Sequence, residues 1–334
     1  MKKNIIYGSI IGTAMGDSIG LPYEGLSKAK ISKKNLTFEK QNLIFNRGMF
    51  SDDTEHTIMV AQSLIESYDN EELFEKLLKK RLKLWLLGLP AGVGFATMRA
   101  IFKSFFIQNS GVFSAGNAPA MRSALLGIVF GDDNEKLQRF VKINTIVTHT
   151  DPKAYYGALA VAKASYLASI MQENQFFDEM RGLIVDKEFL EILDSVENNL
   201  DIPTIDFAKS LGLEDGVSGY IYNTIPIVLH SWLRNRDDLK SSIIDVVICG
   251  GDSDTTGAIV GSIVGARSGN IPTQWINGVI DYPRNIKFIK RVSDKLELVS
   301  LSQQVSKAPF LSPITILLRN MVFLIIVLIV AIIR

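Results

Sequence analysis

The chain has 334 residues, 47% of them hydrophobic, with 36 basic and 35 acidic residues and a formal net charge of +1. So much apolar side chain excludes a disordered polypeptide, and so even a charge balance leaves no basic footprint for nucleic acid. The single cysteine, Cys249, excludes an internal disulfide and suits a reducing compartment.

Met1-Lys2-Lys3-Asn4 begins like the basic region of a secretory signal. The stretch behind it runs into Asp17 without a long leucine-rich core, so no signal peptide is expected. Gly8, Gly12, Gly16 and Gly20 then recur every four residues. Ile58, Ala61, Ile65 and Tyr68 recur at spacings of three and four, which marks an apolar helix face. Leu73, Leu77, Leu84 and Leu87 set out a second such face. Ala154, Ala158 and Ala162 form another row of small residues, and Gly257, Gly261 and Gly265 a third. Residues four apart share a helix face, and a row of small side chains lets two helix axes approach closely. Asp17, Ser18 and Ser262 interrupt these rows, which favours packing inside a soluble bundle over dimerisation in a membrane. Residues 243–249 are β-branched, but the run is short and equally compatible with helix. Residues 1–310 therefore read as one all-α domain without an internal linker.

A break at residues 308–313, with prolines at 309 and 313, ends this domain. Residues 314–333 follow with one charge, Arg319, and residues 321–333 are uninterrupted apolar. Twenty helical residues reach roughly 30 Å, about one hydrocarbon core. A terminal core helix normally keeps a polar stripe, and residues 321–333 have none. The segment reads as a single transmembrane helix, with Arg319 snorkelling to the headgroups. Lysine and arginine sit almost wholly on the domain side, which places that domain in the cytoplasm. Removal of residues 312–334 is expected to leave a soluble, active domain.

Two acidic clusters carry the chemistry. The first is Ser51-Asp52-Asp53-Thr54. The second is Gly250-Gly251-Asp252-Ser253-Asp254-Thr255-Thr256. Either alone reads as a helix N-cap. Carboxylates so close repel one another unless a positive charge sits between them, and a hard dication with oxygen ligands supplies it. Two clusters about 200 residues apart suggest helix ends meeting round one or two metal ions. Neither cluster has the alternating ligands of an EF-hand.

Five segments together resemble the ADP-ribosylglycohydrolase family, in the family's order. They are residues 8–24 (GSIIGTAMGDSIGLPYE), 51–54 (SDDT), 116–122 (GNAPAMR), 148–152 (THTDP) and 250–256 (GGDSDTT). The resemblance implies a compact all-α fold with two Mg2+ ions in a central cleft. It assigns Ser51, Asp52 and Asp53 to one set of metal ligands and Asp252, Asp254 and Thr255 to the other. It brings Gly116 and Asn117 to the phosphates and ribose of ADP-ribose, with Met121 and His149 as further substrate contacts. Ala118 stands where the family usually has glycine. Glu24 matches a glutamate near the scissile bond. Some members use an aspartate just before the Gly-Asn pair, and Phe113-Ser114-Ala115 supplies none here, which favours Glu24 as the catalytic acid. The implied activity is hydrolysis of an ADP-ribosyl glycosidic bond, on a modified protein or a small-molecule conjugate. The rival expectation is an ADP-ribose-binding or structural member that does not hydrolyse.

Overall fold

The computed structural model describes residues 4–34 and 37–333; the basic start at Met1–Lys3 and the final Arg334 lie outside the described residues. Among these residues the chain forms 18 α-helices, two short 3-10 turns and two strands of two residues each. The fold is all-α.

At its centre lie helix Ile5–Gly20 and helix Ser253–Ser268. Each is buried on nearly every side, and only Tyr7 of the first keeps substantial exposure. Helices surrounded in this way need no polar face. The two run antiparallel, with their glycine rows face to face. A Cβ built on Gly8 would stand 2.2 Å from the Gly265 carbonyl oxygen, on Gly12 2.0 Å from that of Gly261, and on Gly16 1.9 Å from that of Gly257. The first and third small-residue rows are therefore the two halves of one contact. The alanine row serves a second close approach, where Gly127 of helix Ala124–Phe130 abuts the Ala162 carbonyl of helix Pro152–Ile170. Helices Asp52–Ser67, Ile286–Ser302, Ile221–Arg234 and Leu239–Val247 pack round the central pair. Most of the β-branched run at 243–249 is thus helical.

Helix Glu71–Leu87 corrects one expectation. Its buried stripe is Phe74, Leu78, Leu82 and Trp85. Leu84 and Leu87, from the row read as the core face, are more than half exposed. The helix carries two adjacent apolar stripes, and only the aromatic one reaches the core. Leu77, Leu84 and Leu87 instead line a groove of about 830 Å³ that is closed on its other side by residues 307–317.

The tail begins with a linker tied to the domain. Ser306 N–H donates to the Ile65 carbonyl at 2.9 Å, and Gln62 Nε2 to the Pro309 carbonyl at 2.7 Å. Helix Pro313–Ile333 follows, with a mean hydropathy of 2.7 over Pro313–Ile332, long and apolar enough to cross a membrane by length and composition. Its outward stripe, Leu318, Val322, Ile325, Ile329 and Ile332, is exposed and wholly apolar. Its inward face is docked on the domain. Arg319, Asn320 and Phe323 are buried, and Phe323 packs with Leu21, Leu43, Met49 and Ala91. Arg319 does not snorkel outwards. Its guanidinium is paired with Asp281 and Glu55 inside the protein, where its absence would leave two buried carboxylates short of a counter-charge.

Candidate active site

The antiparallel central pair sets the C-terminal end of helix Ile5–Gly20 beside the N-terminal end of Ser253–Ser268, where Ser253 Oγ donates to the Gly20 carbonyl at 2.9 Å. The N-terminus of helix Asp52–Ser67 meets the same point. Thr255 Oγ1 donates to Asp53 Oδ2 at 3.3 Å, and Ser51 Oγ to the same oxygen at 3.1 Å. Two acidic motifs some 200 residues apart are thereby in direct contact. Two helix N-termini point their partial positive charge at this cluster.

Capping accounts for part of the arrangement. Ser51 is an N-cap, accepting from Asp53 N–H at 3.4 Å. Asp252 caps nothing with its side chain; Oδ2 accepts from Asn117 Nδ2 at 2.7 Å instead. Asp53 Oδ1 and Asp254 Oδ1 are buried with no hydrogen-bond partner. Asp53 and Asp254 are held well above the usual carboxylate range by burial first. The charges of Asp52, Asp17 and Asp252 add to this at Asp53, and those of Glu24, Asp252, Asp53 and Asp17 at Asp254. Burial, with Asp17, Glu55 and Glu24, does the same to Asp52. The leading charges on all three are negative. The negative charges that neighbouring carboxylates add to this environment also favour a cation among them. Among the described residues no three Asp, Glu, His or Cys side chains already close on one point. The donor set also contains the hydroxyls of Ser51 and Thr255, and it is entirely oxygen, which fits a hard dication.

Glu24 is exposed at the mouth of this cluster, and its charge acts on both Asp52 and Asp254. Its loop is pinned. Gly25 N–H donates to the Gly251 carbonyl at 2.8 Å, and Leu26–Ser27 pairs antiparallel with Gly250–Gly251. That pairing requires glycine on the second strand. Gly250 and Gly251 have φ of +77° and +81°, and a Cβ on Gly251 would lie 2.1 Å from the Val217 carbonyl oxygen.

Asn117 bridges the walls of the site. Besides Asp252, its Nδ2 reaches Thr224 Oγ1 at 3.0 Å, and its N–H donates to the Gly219 carbonyl at 3.0 Å. The His149 ring lies on Gly116, where a Cβ would come within 2.9 Å of Nε2. Burial, then the Arg122 charge, lowers His149 to about 3, so the ring is neutral. Thr148 Oγ1 accepts from Arg122 at 2.7 Å and is hydrogen-bonded to His149 Nδ1, 2.9 Å away. The ring Nε2 faces the Gly116 loop.

The sequence model of the ADP-ribosylglycohydrolase family matches residues 2–306. The chain belongs to this family. It is 31% identical over 310 residues to an uncharacterized protein of Archaeoglobus fulgidus, covering 86% of this chain and 94% of that one. It is 27% identical over 285 residues to the ADP-ribosyl-[dinitrogen reductase] glycohydrolase of Rhodospirillum rubrum, covering 81% and 88%. ADP-ribosylhydrolase ARH3 of Gallus gallus is 24% identical over 340 residues, covering 80% and 87%. A solved structure titled ADP-ribosylglycohydrolase-related protein complex superposes with a TM-score of 0.64 at 23% identity, over 89% of this chain and 98% of that one, and shares its fold. Membership makes the chain an enzyme of glycosidic-bond hydrolysis.

Several residues of this ADP-ribosylglycohydrolase site escape a linear reading. Asp17 looks like an interruption of a glycine row. It is fully buried and accepts from Ser51 N–H at 2.9 Å, from Thr54 N–H at 3.2 Å and from Thr54 Oγ1 at 2.5 Å. Burial outweighs those bonds and raises it to about 7. In sequence it shows only as a lone acid in a row of small residues, within the first of the family-like segments. Arg122, also fully buried, joins His56, Asn144 and Thr148 into one network. Met121, expected from the resemblance as a substrate contact, instead has its side chain in the hydrophobic core, 3% exposed, with its carbonyl accepting from Thr57 and its N–H donating to the Asn117 carbonyl at 3.2 Å. Ala118 opens the short helix Ala118–Met121 with no left-handed φ, so alanine fits where the family has glycine.

Proposed function

We propose that this protein removes ADP-ribose from a modified protein or a small-molecule conjugate, with two Mg2+ ions held by Ser51, Asp52 and Asp53 and by Asp252, Asp254 and Thr255. The observation that carries this reading is the contact between the two acidic motifs, with Glu24 above both. Bound magnesium supplies positive charge that holds and polarises oxygens of the ribose. The chain's own groups do the rest. Asn117 and the His149–Gly116 contact shape the wall against which the ribose and phosphates lie. Glu24, exposed and tethered through Gly25, handles the proton at the scissile bond, by orienting water or protonating the leaving group. Because the ribose becomes oxocarbenium-like in the transition state, holding its anomeric carbon in line with the attacking water is the main contribution expected of the site.

Glu24→Gln is expected to lower kcat by roughly 10²–10⁴-fold while ADP-ribose affinity changes little, as for a group acting in the transition state. Weaker affinity with unchanged kcat would make Glu24 a binding residue only. Arginine-linked and serine-linked ADP-ribose, poly-ADP-ribose, O-acetyl-ADP-ribose and a nucleic-acid adduct, each assayed with Mg2+, identify the linkage. Failure to turn over any of them returns the non-hydrolysing, ADP-ribose-binding reading.

We further infer that helix Pro313–Ile333 attaches the protein to a membrane as a single pass, with the catalytic domain cytoplasmic. The apolar outward stripe and the hydropathy of 2.7 support this. The full-length protein is expected to stay with membranes through high salt and alkaline carbonate. Recovery in the supernatant would show that the helix only covers the domain.

A further inference from the structure

The segment that carries Ser51, Asp52 and Asp53 is gripped on both sides by one buried ionic cluster. On the near side, Phe50 N–H donates to Asp281 Oδ2 at 3.0 Å, and the Phe50 carbonyl accepts from Arg319 Nη2 at 2.5 Å. On the far side, Glu55 accepts from Arg319 Nη1 at 3.0 Å and from Arg284 and Trp85 in shorter contacts. Arg319 also donates through Nε to Asp281 Oδ1 at 3.2 Å and through Nη2 to Asp281 Oδ2. The side chains of Asp281, Glu55 and Arg319 are no more than 3% exposed. Two cations and two anions balance, so the cluster is internally neutral. All three guanidinium nitrogens are used, in three directions, and a lysine ammonium cannot reproduce that fork.

Arg319 belongs to the tail helix, beyond residue 306 where the family match ends. The guanidinium is held there from its own side as well. It lies 4.3 Å from the Phe323 ring centroid, and neighbouring Asn320 donates to the Gly88 carbonyl at 2.7 Å. We propose that Arg319 is a positioning residue for the metal-ligand loop, so that the tail completes the active site and is not an anchor alone. This rests on the reading of Ser51, Asp52 and Asp53 as metal ligands. It replaces the expectation that residues 312–334 are dispensable for activity.

With Arg319 seated, residues 321–333 alone are free to enter a bilayer, and at about 1.5 Å per residue they reach roughly 20 Å, short of the roughly 30 Å core. A full span therefore withdraws Arg319 from Phe50 and Glu55. Seating of the arginine and complete insertion of the helix compete, so the single-pass form inferred above is the form in which this clamp is released and metal is held less tightly.

The test uses the full chain in detergent and reads Mn2+ binding by electron paramagnetic resonance, without turnover. Four variants accompany the wild type: Arg319→Ala, Arg319→Lys, Asp254→Asn, and Arg267→Ala as a control. Arg267 is paired with buried Glu173 at the opposite end of helix Ser253–Ser268, so its loss perturbs stability away from the site. Arg319→Ala is expected to weaken Mn2+ binding at least tenfold, with partial restoration by added guanidinium ion, while Arg267→Ala binds as the wild type. Arg319→Lys keeps the charge and loses the fork; it is expected to bind Mn2+ severalfold more weakly, and it carries the test if the alanine variant does not fold. Simple removal of a positive charge beside carboxylates would tighten Mn2+ binding. Unchanged or tighter binding in both Arg319 variants overturns the proposal. If Asp254→Asn still loses Mn2+ in that case, the metal reading stands without the clamp. A wild-type chain that takes up no Mn2+ overturns both.

Discussion

Asp254→Asn is expected to reduce Mg2+ affinity by at least about a hundredfold and turnover to background, while the metal-free protein melts at the same temperature or higher. The two effects have opposite sign for one reason. Asp254 is buried at the first turn of helix Ser253–Ser268, and after burial the charges of Glu24, Asp252, Asp53 and Asp17 act against its ionisation. Asparagine keeps the shape and removes one negative charge from that crowd, so repulsion in the empty site falls. The same charge is what a dication binds. A ligand present at 100 times its Kd stabilises the fold by about 2.7 kcal/mol. A thermal melt with and without Mg2+ therefore shows an upward shift in the wild type and none in the variant. Normal turnover in Mg2+-saturated assays, or an undiminished metal-induced shift, would sink the assignment of Asp254 as a ligand.

The sequence makes some of this architecture legible and hides the rest for identifiable reasons. Spacing of four in Gly8–Gly20 and Gly257–Gly265 signals a close helix contact, because only a backbone without Cβ tolerates such approach. Spacing alone does not say which rows pair, since pairing joins residues nearly 250 positions apart. The acidic motifs stand out because paired carboxylates beside hydroxyls are unusual in one place; that Thr255 touches Asp53 needs the fold. Asp17 is missed because a single acid inside an apolar row carries no pattern of its own, and its partners Ser51 and Thr54 lie on another helix. Arg319 is misread for a related reason. The rule for a charge near the end of an apolar helix looks only at sequence neighbours, whereas its partners Asp281 and Glu55 lie 38 and 264 residues away. Helix Glu71–Leu87 shows the limit of periodicity itself. Leu84 and Leu87 fit the spacing as well as Leu82 and Trp85 do, and only the surrounding helices decide which stripe is inside.

An alanine at Gly12 should destabilise the whole protein by about 3 kcal/mol or more, at or beyond the upper end for an overpacked core. Its Cβ would stand 2.0 Å from the Gly261 carbonyl oxygen and 2.8 Å from the carbonyl carbon. Both are backbone atoms of a buried helix, so no side-chain rotation relieves the clash, and the two central helices must move apart. That movement also reaches the active site. Asp17 rides on one of these helices and Asp254 and Thr255 on the other, so Mg2+ affinity is expected to fall along with stability. Gly182, in helix Phe176–Leu183, supplies the matched comparison. Nothing lies within 4 Å of a Cβ there and its φ is not left-handed. Gly182→Ala should stabilise by about 0.5–1 kcal/mol, through helix propensity and a less free unfolded chain. The same chemical change is thus expected to act with opposite signs at two helical glycines. Urea melts of both variants, in the detergent used for the wild type, measure the difference. A Gly12→Ala loss below about 1 kcal/mol would mean that the helices stand farther apart than these distances require.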